Sequence, residues 1–496
     1  MRLRYSSQLI IIILLLASLF PLITAIRYPA FLNDDSYITL TYAKNLADGH
    51  GFVFNHPPAV LGTTTPLFTI MVAGTASIFH QIPIDRAAVF LTAFCWMGIV
   101  WLIFFFRKAW GLEQWQAGII GLVVIGSGWI GYLGMEAYLF AFLLVLCVSL
   151  FFSRHYFSTG LISGLLFLTR GEGIIVLGVI FITVLIQQWR EKKSFDTQFA
   201  TILIRLATGF AIPVLPWVIY AFSTFGTFLP NTLAAKQAQG LSDFGRPFWQ
   251  RLINEWIPTW GRPFGIAGLP WFNLWWVIAL IGIVTALFQK PRWLLFVVWI
   301  ILYISGYVLL KVSAYWWYEL PILFVINLFF GLGIVKIIEI IIRWIKPFVL
   351  SLSISILVAG LLLFILAKPT IKGMLANKGD VRGQSYTNLS TWFRENTDNS
   401  KSIAYIEIGY LGYFTDNRII DLDGLTLPDV IPHIARNDFA WGFWHYQPDY
   451  YVFLPDFDWA LASIRTDPRF DQQYQPVATL PGPGKNDLII YRRVSK

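Results

Sequence analysis

Along most of this chain, long apolar runs alternate with short polar joints, and the pattern predicts helices that cross a membrane rather than a soluble core. A crossing helix needs about 20 mainly apolar residues. Runs of this kind, several of them short, lie at about 8–26, 86–106, 116–133, 137–152, 157–169, 173–189, 201–221, 272–288, 293–311, 319–342 and 348–367. One further stretch, 62–80, is apolar but carries Thr63, Thr64, Thr65, Thr69 and Gly74, which suit lipid poorly. It reads as a re-entrant or interfacial element, tolerated where it lines protein or a wet cavity.

Charge sets the orientation. If 62–80 does not cross, Arg107-Lys108, Arg154, Arg190 with Lys192, Lys290 with Arg292, and Arg343 with Lys346 all fall on the side of Arg2 and Arg4. That is the positive-inside pattern. It predicts about eleven spans, with the N-terminus inside and the C-terminus outside. The first run lacks a small-residue cleavage pattern and reads as a retained helix rather than a signal peptide.

Three regions then lie outside: a first loop at 27–85, a second at 222–271, and a tail at 368–496. Residues 1–367 form the membrane domain. The tail loses the apolar runs and reads as one α/β domain. It has helices at 386–396 and 457–465 and strands at 402–407, 418–421, 449–454 and 486–493.

Composition agrees. Charged residues make up 13% of the chain, against about 25% in soluble proteins. The net charge of +9 sits in the short joints rather than in a basic stripe with interleaved aromatics, so nucleic acid is not an expected partner. Cys95 and Cys147 fall inside apolar runs and offer neither a disulfide framework nor a CxxC site. No Walker-type or Rossmann loop is present, and no nucleotide or other cofactor is expected.

The candidate chemistry begins at Asn33-Asp34-Asp35-Ser36-Tyr37. Ile38, Tyr42 and Leu46 follow at helical spacing, predicting a helix from Ser36 to Asp48 capped by Asp35 or Ser36 and ended by Gly49. A carboxylate there can act as a general base toward a hydroxyl, and the helix start favours an anion such as a phosphate. A plainer reading has Asp35 as a cap and Asp34 solvated. Glu136, Arg170, Glu172, Asn231, Lys236, Lys311 and Tyr318 fall on the same predicted side. Singly, each fits an interfacial belt, a snorkelling cation or a structural pair. Together they predict a wet cleft with a base and with cations for a phosphate leaving group. Asp34, Asp35 and Glu136 also offer oxygens for a divalent cation, without His or Cys ligands of familiar spacing.

The stretch Asp34-Asp35-Ser36-Tyr37-Ile38 with Tyr42-Ala43-Lys44-Asn45-Leu46 resembles the first outer loop of bacterial GT-C-fold glycosyltransferases, most closely the terminal arabinofuranosyltransferase group. Gly134-Met135-Glu136, Leu168-Thr169-Arg170-Gly171-Glu172-Gly173 and Leu229-Pro230-Asn231-Thr232 follow in family order. So do Glu407-Ile408-Gly409-Tyr410 and Asp421-Leu422-Asp423-Gly424 in the tail. The resemblance implies a polyprenyl-phosphate sugar donor, an extracytoplasmic glycan, lipid or protein acceptor, and an acidic residue as base. By analogy with protein mannosyl- and lipid A aminoarabinose transferases, that base is Asp34, with Glu136 as a second outer acid. The transferred sugar would be arabinofuranose or another pentose or hexose. The rival readings are a polyprenyl-lipid flippase or transporter and a non-catalytic lipid-binding scaffold. Against the transporter, the sequence shows no inverted repeat and few ionisable groups at mid-span.

Overall fold

The computed structural model describes residues 2–27, 31–55, 59–192, 196–243, 245–266, 269–345, 347–376 and 379–494. The main helices up to the tail are α1 (Arg2–Arg27), α2 (Asp34–Ala47), α3 (Pro66–Ile78), α4 (Ile84–Phe105), α5 (Gln114–Gly126), α6 (Ala137–Phe152) and α7 (Tyr156–Thr169). They continue with α8 (Ile174–Lys192), α9 (Thr197–Phe225), α10 (Asn231–Leu241), α11 (Leu274–Gln289), α12 (Leu294–Leu309), α13 (Glu319–Trp344) and α14 (Phe348–Ala376).

Every predicted span contains a helix. Among the described residues, seven helical stretches, at 8–27, 84–105, 171–190, 197–225, 291–309, 316–344 and 349–376, are long and apolar enough to cross a membrane. Five others, α3, α5, α6, α7 and α11, are apolar but shorter. Close backbone contacts pack the shorter ones against longer partners. A Cβ on Gly160 of α7 would lie 2.2 Å from the Leu206 carbonyl of α9, and one on Gly209 of α9 2.2 Å from the Phe157 carbonyl of α7. Gly282 of α11 and Gly333 of α13 meet each other's helices in the same way. Small residues let helices approach closely where the solvent is lipid.

Two expectations change here. The run 116–133 is not one helix, because α5 stops at Gly126. The Trp96 ring fills the space a Cβ on Gly128 would need, and Thr370 Oγ1 donates to the Gly126 and Gly128 carbonyls at 2.8 and 2.7 Å. Helix α2 begins two residues earlier than predicted. Asn33 is its N-cap, with Oδ1 accepting from Asp35 N at 2.9 Å, so Asp34 and Asp35 lie in the first turn. Gly49 ends the helix region at φ +82°, as a left-handed residue should.

The 62–80 stretch divides into an extended segment to Thr65 and helix α3, with Pro66 in the first helical turn. In the tail, a helix at Gly383–Asn396 precedes a five-stranded sheet. Its strands are β1 (Ser402–Tyr405), β2 (Arg418–Asp421), β3 (Tyr450–Phe453), β4 (Tyr474–Leu480) and β5 (Leu488–Arg493), in spatial order β2-β1-β3-β5-β4. Strands β1, β2 and β3 run parallel, and β5 pairs antiparallel with β3 and β4. Strand β4 was not expected. Pro476 interrupts its pattern, and the register shifts between Pro476 and Ala478. The predicted helix near 457–465 is present at Asp458–Arg465.

Segments leaving the carboxyl ends of β1 and β2 dock on the membrane domain. Ligand sites of open α/β sheets gather at that edge. Gly409 and Tyr410 reach Asp34, while Gly424 and Leu425 reach Asn231.

Candidate active site

The first turn of α2 presents its two aspartates to different surroundings. Asp34 is buried and faces the tail. Its Oδ2 accepts from Gly409 N at 3.1 Å and its Oδ1 from Tyr410 N at 3.0 Å. A Cβ on Gly409 would lie 1.9 Å from the Asp34 carbonyl oxygen, so only glycine allows this approach. Burial, then the Glu407 carboxylate, pushes the Asp34 carboxyl above its ordinary value, while Arg382 and the Tyr410 N–H pull it back. The plainer reading of a solvated Asp34 therefore fails.

Around Asp34 three carboxylates share one guanidinium and several neutral donors. Arg382 binds Asp380 through Nε at 2.9 Å and Nη2 at 2.7 Å, and also meets Glu407, which takes the Tyr386 hydroxyl as well. Asn33 Nδ2 donates to Asp380 at 3.3 Å. This cluster joins tail to membrane domain.

Asp35 turns the other way. With Thr39, Thr63, Thr65, Glu136 and Lys236 it lines a small cleft of about 60 Å³. Burial raises its carboxyl above the ordinary value, opposed first by Lys236 and then by Arg382. Glu136 is raised for the same reason, with Arg170 opposing.

The cleft adjoins a larger cavity of about 480 Å³, with Glu136, Thr64, Thr232, Lys236 and Trp317 lining both. This volume lies in the usual range for small-ligand sites, about 300–1,000 Å³. The rest of its wall is mostly apolar and aromatic, including Phe167, Trp217, Tyr307 and Tyr318.

Two cations reach this cavity. Arg170 ends α7 in an extended conformation that turns its side chain inward. It bonds Glu172 at 2.6 Å, Glu136 at 3.4 Å and the Trp317 carbonyl at 3.3 Å, and the Tyr307 hydroxyl donates to Glu172 at 2.9 Å. Its charge is largely spent on protein partners.

Lys236 differs. It is buried on the inner face of α10, and its Nζ lies 4.2 Å from the Tyr315 ring centre and 4.4 Å from that of Trp317. Among the described residues no carboxylate pairs with it directly. Burial lowers its amine to about 8, although Asp35 and then Asp423 pull the value upward. A buried cation without a direct counter-charge is costly unless something else supplies one.

The other expected residues lie apart. Asn231 donates through Nδ2 to the Gly424 and Leu425 carbonyls at 2.9 and 3.0 Å, fastening the tail rather than facing the cavity. Lys311 is exposed and lies outside the lining, between Leu310 and Val312, which do line it. Its backbone is left-handed at φ +53°, and Ser313 N returns to the Lys236 carbonyl at 3.0 Å. Gly240 makes room for this loop, since a Cβ there would meet the Lys311 carbonyl at 2.1 Å.

Thr63, Thr64 and Thr65, expected only as part of a stretch lining protein or a wet cavity, line the cleft, and sequence reasoning missed Tyr307. The consecutive threonines before Pro66 were a usable signal, because polar side chains in an apolar stretch suit a wet cavity better than lipid. It also missed Asp423. This residue is buried, with its carboxyl raised well above the ordinary value by burial and then by Asp421. Among the described residues no three His, Cys, Asp or Glu side chains are grouped to hold a metal ion.

Comparison with known proteins gives the fold. ArnT from Cupriavidus metallidurans bound to undecaprenyl phosphate superposes with a TM-score of 0.60 over 98% of both chains, at 13% sequence identity. The apo state of that protein gives 0.59 with the same coverage and identity. The chain thus has an ArnT-like GT-C fold and is a multi-pass membrane protein with a small C-terminal sheet domain. A family model described as a domain of unknown function (DUF8728) matches residues 376–492, which is the tail. No curated protein matches.

Proposed function

We propose that this chain is a membrane glycosyltransferase that moves a sugar from a polyprenyl-phosphate donor to an acceptor hydroxyl outside the cytoplasm. The observation that carries this reading is Lys236, a buried ammonium without a direct carboxylate partner, facing an aromatic cavity beside Asp35. A phosphate would give that ammonium the direct partner it lacks, and the cavity's apolar wall suits a prenyl chain. The GT-C likeness adds support, since the ArnT structure it resembles holds undecaprenyl phosphate.

In this mechanism the donor phosphate sits against Lys236 and its prenyl chain follows the apolar wall. The acceptor hydroxyl approaches Asp35. As oxygen bonds to the sugar C1, its proton passes to the Asp35 carboxylate and the C1–O bond to phosphate breaks. The electron pair leaves with the polyprenyl phosphate, stabilised by Lys236. Geometry favours Asp35 over Asp34 as base, because both Asp34 oxygens already accept N–H bonds from the tail. Arg170, Glu136 and Glu172 form the wall that shapes the phosphate end. By resemblance the sugar is arabinofuranose or another pentose or hexose.

The test uses purified protein in nanodiscs with arabinofuranosyl, mannosyl and glucosyl undecaprenyl phosphates as donors and envelope lipids and glycans as acceptors. The reading expects product from one donor, lost in Asp35→Asn while that variant still retains undecaprenyl phosphate. Vectorial uptake of the donor by liposomes without product would favour a transporter. The outward placement of site and tail is checked by an alkaline phosphatase fusion at the C-terminus, which should be active.

A further inference from the structure

A second cavity, of about 690 Å³, lies across the turn that joins Trp316 to Glu319. Trp316 lines this cavity while Trp317 lines the first, and Asn33 lines it while Asp35 lines the cleft. The chemistry is the reverse of the Lys236 cavity. Among the described residues, no Lys, Arg or His lines it. Trp129, Trp260, Trp275 and Trp316 give it aromatic faces, and Glu319 and Asn327 give it an oxygen and an amide, while the Asp380 oxygens at its edge are taken by Arg382 and Asn33.

The polar groups are only partly used. Glu319 Oε1 accepts from the Trp260 indole at 2.6 Å, and Asn327 Oδ1 accepts from the Trp275 indole at 3.0 Å. The second Glu319 oxygen and the Asn327 amide nitrogen have no protein hydrogen bond among the described residues. Trp129 is half exposed at the rim, with its ring centre 5.4 Å from that of Trp316. Flat aromatic faces with an acid and an amide, and no cation among the described lining residues, fit the C–H faces and hydroxyls of an uncharged sugar.

Beside it runs an apolar groove of about 320 Å³ between α1 and α14, lined by Leu16, Phe20, Ile23, Ile371 and Met374. Thr370 lines both spaces. Leu16 and Ile23 are exposed on the outside of the helix bundle, where lipid would lie. A sugar-binding cavity that continues into a lipid-facing groove is shaped for a head group and its acyl chain.

We infer that this cavity and groove bind the acceptor, and that the acceptor is a lipid with an uncharged, hydroxyl-rich sugar head. The inference rests on the glycosyltransferase reading for the word acceptor, and on the second cavity alone for the ligand class. The second cavity meets the start of α2 at Asn33, two residues before Asp35.

The test is native mass spectrometry of protein released from nanodiscs. These contain equal amounts of monoglucosyl diacylglycerol and phosphatidylglycerol with matched chains, and a trace of undecaprenyl phosphate. The glucosyl lipid should be retained in preference to phosphatidylglycerol. Trp129→Leu and Asn327→Leu should each lower its retention about two- to tenfold, the scale of one aromatic or hydrogen-bond contact, and leave undecaprenyl phosphate unchanged. Trp129 is half exposed, so its variant should fold even if the Asn327 variant does not. Equal retention of phosphatidylglycerol, or retention of the glucosyl lipid that ignores both substitutions, overturns the inference. Competition by the same concentration of soluble methyl glucoside would overturn its lipid half. Lys236→Met separates the two readings: loss of undecaprenyl phosphate alone supports both, while unchanged undecaprenyl phosphate sinks the donor site and leaves the acceptor cavity standing.

Discussion

Two clusters of buried charge flank the first turn of α2, and they are built from the same residue types. On the tail side, Asp34, Asp380 and Glu407 meet Arg382, the Tyr386 hydroxyl and two backbone N–H groups. On the membrane side, Asp35 and Glu136 lie near Lys236, which has aromatic faces but no direct carboxylate. The first cluster gives each of its carboxylates a partner within the protein. The second borders a cavity and is left incomplete. Carboxylates partnered in this way fasten the tail to the start of α2, and a buried cation left without a direct partner marks where a ligand can complete it.

The sharpest way to break this contrast is to neutralise each aspartate. Asp35→Asn should lower transfer by about 10²–10⁴-fold, the usual worth of a general base, while donor retention and expression persist. Asp34→Asn should cost less in transfer and should act by loosening the tail, seen as faster proteolysis between residues 376 and 402. A reversed order of effects on transfer would exchange the roles of the two clusters.

Next comes the matched side. Arg382→Met strands three acids that it faces, and losing these partly buried charge-assisted bonds should cost about 1.5–3 kcal/mol. The measurement is thermal unfolding in detergent, where the variant should melt well below the wild type. Lys311→Met, at an exposed site, should not move the midpoint.

A pH series probes the open side. The Lys236 amine is lowered to about 8 by burial. Its protonated form binds the phosphate, so donor affinity should be full below that value and fall as pH rises through it. Lys236→Arg keeps its charge at every accessible pH, so its alkaline limb should disappear. A wild-type limb that persists in this variant would place the titrating group elsewhere. The smallest effect is expected at Asn231. Asn231→Ala removes two hydrogen bonds to the tail loop and should cost about 1–2 kcal/mol of stability, with donor retention unchanged.

The sequence made some of this legible and hid the rest for physical reasons. Spans were readable because lipid demands continuous apolar runs, and α2 because Ile38, Tyr42 and Leu46 repeat at helical spacing. The end of α5 was hidden, since the Gly126 and Gly128 carbonyls are held by Thr370, about 240 residues later in sequence. The division of labour between Asp34 and Asp35 was hidden too. Adjacent helical residues point about 100° apart, and the partners that decide the matter, Gly409 and Tyr410, lie 375 and 376 residues away. Lys236 and Lys311 looked alike because both follow apolar stretches near aromatics. Only the fold buries one and exposes the other.

The central claim is that Lys236 holds the donor phosphate. Its most direct test is the retention of undecaprenyl phosphate, read by native mass spectrometry, in Lys236→Met and Lys311→Met side by side. The account predicts that the first loses the lipid by about tenfold or more, as expected for one charge-assisted bond, and that the second keeps it. Retention in both, or loss in Lys311→Met alone, would contradict it.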